Sequence, residues 1–89
     1  MEDHMTDSNK NKIEALKAEL DRTEHILRDI QQDVLTARLD MELAIEDEEL
    51  EVADSCDRAL IRSMKIYASY RAEELDLQRR IILLGGKIS

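Results

Sequence analysis

At 89 residues, 38% of them charged and only 2% aromatic, the chain is one small domain at most and lacks the rings that usually fill a globular centre. It has no Pro, Phe or Trp and a formal charge of −8, a composition that fits long helices packed along a seam and excludes a compact aromatic core. The lone Cys56 excludes an internal disulfide, and the longest apolar run, Ile81 to Leu84, is far too short for a helical membrane span. A cytoplasmic protein is therefore expected, with no membrane partner.

The opening residues, MEDHMTDS, are polar and acidic, and residues 1–8 are read as a disordered N-terminal tail. Residues 9–85 are read as a helical hairpin. Its first helix is predicted over about 9–46. Ile13, Leu16, Leu20, Thr23, Leu27, Ile30, Val34, Ala37, Met41 and Ala44 are spaced alternately by three and four, a heptad seam that is apolar at every position but Thr23. Asn11 with Glu14 resembles a capping box, Ser8 is an alternative cap, and Glu24 with Arg28 is expected to pair on the outer face.

The seam then goes polar. Continued in register it would place Glu48, Glu51 and Ser55 at its next positions. A turn is predicted over about 47–52, marked by crowded acids and not by Gly or Pro. Negative charge is unfavourable at the C-terminal end of a helix, and like charges three or four residues apart weaken it. Nothing from residue 46 to 53 forces a turn, however. A continuous rod that pairs with a second copy in antiparallel fashion is the competing architecture.

The second helix is predicted over about 53–84. Its seam runs through Ala53, Cys56, Leu60, Ser63, Tyr67, Tyr70, Glu74, Leu77, Ile81 and Leu84. Asp76 and Arg80 are expected to pair. Gly85-Gly86 reads as a helix stop, followed by a C-terminal tail over 86–89. In an antiparallel hairpin facing residues share a constant index sum, and the two seams match at 97, with Ile13 opposite Leu84, Leu20 opposite Leu77 and Ala44 opposite Ala53. Thr23 then meets Glu74, and Val34 meets Ser63. A sum of 98, which uses the neighbouring stripe of the second helix, matches nearly as well. The fold class expected is all-α, an antiparallel, coiled-coil-like helical hairpin that dimerises into a four-helix bundle.

The charge is divided along the chain. Residues 1–57 carry 18 acids and 6 bases, and residues 58–89 carry 3 acids and 7 bases. Arg58, Arg62, Lys65, Arg71, Arg79 and Arg80, with two tyrosines among them, have the composition of a nucleic-acid surface. The simpler reading is that these bases attract the acidic first helix, and nucleic acid is not the expected partner. Eight acids and no base lie between Glu42 and Asp57. They solvate the hairpin tip or, through Glu46, Asp47, Glu48 and Glu49, mimic a nucleic-acid backbone.

No catalytic set is present. Paired carboxylates at an exposed tip have no pocket to tune them, so an enzyme is not expected. His4, His25 and Cys56 do not stand at metal-ligand spacing, and no metal or cofactor is expected. Cys56, Tyr67 and Tyr70 are read as seam residues.

The apolar residues outnumber what one seam can hide. Leu35, Leu39 and Leu43 form an i, i+4, i+8 stripe read as lying beside the first seam. Ile61, Met64, Leu75 and Ile82, with Ala68, form a second stripe on the second helix. Unburied apolar stripes on a small protein point to association. The expected function is a protein–protein interaction module, in an adaptor, assembly-chaperone or inhibitor role, whose partners are a second copy of itself and another protein. The alternative is an acidic nucleic-acid mimic that inhibits a DNA- or RNA-binding protein.

Overall fold

The structure is a computed structural model that describes the backbone of residues 2–88 and the side chains of residues 8–88. Helix α1 runs Glu2–Glu46 and helix α2 runs Leu50–Leu83; they fold back on each other as a hairpin 70 Å long and about 15 Å across. The backbone is helical well before the expected start near residue 9. Ser8 and Asn11 therefore lie inside α1 and cap nothing. Of the tail expected over 1–8, the backbone from residue 2 is part of α1, while Met1 and the side chains of residues 2–7 lie outside the described residues. At the other end the turn is shorter than expected, and α2 begins at Leu50, not at 53.

Burial follows the seams position by position. All ten seam residues of α1 and all ten of α2 are buried or half-buried, while most of the remaining side chains are exposed. The core is concentrated at the open end of the hairpin, where Leu20, Leu77 and Ile81 are buried together with Ile13 and Leu16 packed against them. That Leu20 clusters with Leu77, and Leu16 with Ile81, agrees with the index sum 97. The tip is closed by a small pair, Ala44 and Ala53, both buried. Between the two, Val34, Ala37 and Met41 and their partners Ser63, Leu60 and Cys56 are only half-buried.

The hairpin also resolves the phase of the two seams. Ala44 and Ala53 are nine residues apart, and at about 100° per residue a straight helix would point them to opposite sides. A continuous rod cannot present both seams to one antiparallel partner. A reversal between them lets each seam rotate to face the other.

The turn is a left-handed helix cap. Glu48 has φ +61°. Its N–H donates to the carbonyl of Ile45 (3.1 Å), and the next N–H, of Glu49, reaches back to Ala44 (2.8 Å). The same pair of bonds ends α2: Gly85, at φ +92°, donates to Ile82, and Gly86 donates to Ile81, both at 2.9 Å. Glycine takes this conformation without strain, whereas a residue with a Cβ does so at a cost. The Gly85-Gly86 stop was legible in the sequence. The matching cap at Glu48 was not, because the residue there is one that rarely fills it.

Gly86 has a second role. A Cβ built on it would lie 2.8 Å from Ile81 Cγ2 and 3.1 Å from Ile13 Cγ2, so the chain after the cap packs tightly over the open end of the seam.

Candidate docking surface

The ion pairs lie within helices, not between them. Among the described residues they are His25–Asp29, Arg58–Asp54, Arg71–Glu74, Arg79–Asp76 and Arg80–Asp76. The expected attraction of the basic second half for the acidic first half is not expressed as cross-helix pairs. The pair anticipated between Asp76 and Arg80 is present at 3.0 Å, but Arg28 forms none with Glu24. Four of the bases on α2 are thus engaged by acids three or four residues away on their own helix. Gln31 Nε2 donates to the Tyr67 hydroxyl (3.2 Å) across the two helices. Tyr67, Tyr70 and Cys56 occupy seam positions, half-buried, as their spacing suggested.

The apolar stripes remain uncovered. Leu35, Leu39, Leu43, Ile61, Met64, Leu75 and Ile82 are all between 47% and 60% exposed. The stripe on α1, which the sequence reading placed beside the seam, lies there only at Leu35, next to Val34. Leu39 lies two residues from both Ala37 and Met41, a rotation of about 200° from each, so it points away from α2. Leu35 and Leu43 flank it on either side of that outer face.

Only part of the two stripes comes together. An open groove of about 650 Å³ runs along one side of the hairpin, with Leu35, Val34 and Gln31 on one wall and Met64, Tyr67 and Ala68 on the other. Ile61 stands one turn from Met64. Leu39 and Leu43 face elsewhere, and Leu75 and Ile82 continue the α2 stripe towards the open end. Leu50, Val52, Ile66 and Leu83 are further exposed apolar residues that the sequence reading did not single out. Val52 and Leu83 border shallower grooves on other parts of the surface, the second of these beside Leu16 and Arg80. The signal of Val52, Ile66 and Leu83 in the sequence was weak, because each falls next to a seam position and cannot be told from a buried neighbour until the register is known, while Leu50 fell inside the expected turn.

Glu46, Asp47, Glu48 and Glu49 crown the tip, all exposed, and none is in an ion pair among the described residues. No three described His, Cys, Asp or Glu side chains are grouped to hold a metal ion. Among the described residues no helix is long and apolar enough to cross a membrane. Comparison with protein-family models, curated proteins and solved structures gives no match.

Proposed function

We propose that this chain is a protein–protein interaction module that docks an apolar helical face on a protein partner, as an adaptor, assembly chaperone or inhibitor. One observation carries the reading: the seam residues already face each other between the helices, yet two further stripes of large apolar side chains stay about half exposed. The groove between Leu35 and Met64 is the centre of the docking face, because there both helices contribute apolar walls to one surface. A second copy is the simplest partner, since two hairpins that cover each other's stripes make a four-helix bundle. A reducing, cytoplasmic setting is proposed with it, on the single cysteine.

Sedimentation of the wild type and of Leu35→Asp and Met64→Asp tests the reading. The wild type is expected to sediment above the one-chain mass of 10.3 kDa, and both variants at that mass with unchanged helical content. A wild type that stays at one chain at every concentration overturns the self-docking form.

The acidic tip supports a second reading, a nucleic-acid mimic directed at a basic protein, because four consecutive exposed carboxylates there pair with no base among the described residues. Binding of a DNA- or RNA-binding protein that survives Glu46→Gln, Asp47→Asn, Glu48→Gln and Glu49→Gln together rules it out. Nucleic acid itself is not proposed as a ligand, since Arg58, Arg71, Arg79 and Arg80 are engaged by neighbouring acids.

A further inference from the structure

The register of the hairpin has no obvious origin in its turn. No Gly or Pro occurs between Glu42 and Asp54, so the bend has no sequence marker that pins it to residues 47–49. Heptad spacing makes slippage by one heptad the natural error, since every seam residue then meets another seam residue. Index sums of 90 and 104, in place of 97, each retain eight of the ten layers and move the bend by only about half a heptad.

Beyond the two end layers that each slip loses, one interior layer sets the three apart. Thr23 is 5% exposed and Glu74 7% exposed, and the two occupy facing seam positions between the layers Leu20–Leu77 and Leu27–Tyr70. Arg71 Nη1 donates to Glu74 Oε1 from the same helix, with the carboxylate side chain 9% exposed and the Arg71 side chain 48% exposed. Among the described residues no buried side-chain polar atom lacks a partner. In the register of 90, Glu74 would face Leu16 and Thr23 would face Tyr67. In the register of 104, Glu74 would face Ile30 and Thr23 would face Ile81. Either slip sets a buried carboxylate against an aliphatic side chain and separates the two polar residues.

We infer that the Thr23–Glu74 layer, with Arg71 as its solvent-side tether, is the register lock of this hairpin. It specifies which residues face each other, and so which apolar side chains line the outer groove. This is the use of a buried polar group with the best physical precedent, selection of one alignment by the penalty it imposes on the others. The inference does not depend on what docks in the groove.

The native Cys56 reads the register directly. At 97 it faces Met41, and at 90 it faces Val34. In the otherwise native chain, oxidation is expected to close an intrachain disulfide in Met41→Cys and none in Val34→Cys. With Thr23→Leu and Glu74→Leu added, the Val34→Cys chain is expected to gain the intrachain disulfide while Met41→Cys loses part of its yield. Glu74→Gln, which keeps a polar side chain in the layer, is expected to restore the native pattern. Glu74→Leu alone repeats the measurement should the double variant not fold, as judged by helical circular dichroism. If Val34→Cys stays unlinked and Met41→Cys keeps its full yield in both leucine backgrounds, the register is set elsewhere and the inference is wrong.

Discussion

Glu48 and Gly85 hold the same left-handed cap position at the ends of α1 and α2, one with a side chain that resists it and one without. Glu48→Gly is therefore expected to raise the stability of the hairpin by about 0.5–1 kcal/mol, seen as a higher midpoint in thermal or urea unfolding. Gly85→Ala should lower it by a similar amount, because the left-handed cost then falls on alanine. Gly86→Ala should also destabilise, but for a different reason. Its φ is not left-handed, and the added Cβ collides with Ile81 and Ile13. The glycine pair could be read from the sequence as a stop. That Gly86 is a contact residue of the core could not, since the contact joins positions far apart in the chain.

At the scale of the helices, the charges at the ends favour one element and not the other. α1 has no base in its last turn and ends in acids, against its dipole, while α2 has Glu51 in its first turn and Arg80 in its last, with its dipole. Both depend on the seam, and the seam is uneven. Leu77→Ala, in the buried cluster, is expected to cost about 2–5 kcal/mol. Val34→Ala, where the side chain is half-exposed, should cost about 1 kcal/mol, because part of its surface already meets water. Amide hydrogen exchange checks the gradient: protection should be greatest around Leu20 and Leu77 and fall towards Val34 and Ser63. The seam spacing was fully legible beforehand because three-and-four periodicity is a property of the helix itself. The unevenness was not, since it depends on which layers pair large residues and which pair Ala, Ser and Cys.

For the whole molecule, charge and apolar surface act in different places. The ion pairs are short-range and largely exposed, so they contribute little, while the net charge of −8 is concentrated towards the tip. Added salt is therefore expected to raise the unfolding midpoint slightly, by screening repulsion among the acids from Glu42 to Asp57. A fall on addition of salt would mean that the ion pairs outweigh that repulsion. Leu39→Asp, on the outer face of α1, should leave the stability of the hairpin within about 0.5 kcal/mol of wild type. The sequence alone determined the two seams, their antiparallel match and the surplus of apolar residues, because helical periodicity and index arithmetic need only the order of residues. Only the tertiary structure decided that the bend is a left-handed cap at Glu48, that the charges pair within helices, and that Leu35 and Met64 share a groove while Leu39 turns away. Those outcomes depend on the rotation of each helix about its axis, which is set when the two seams pack and is written in neither helix by itself.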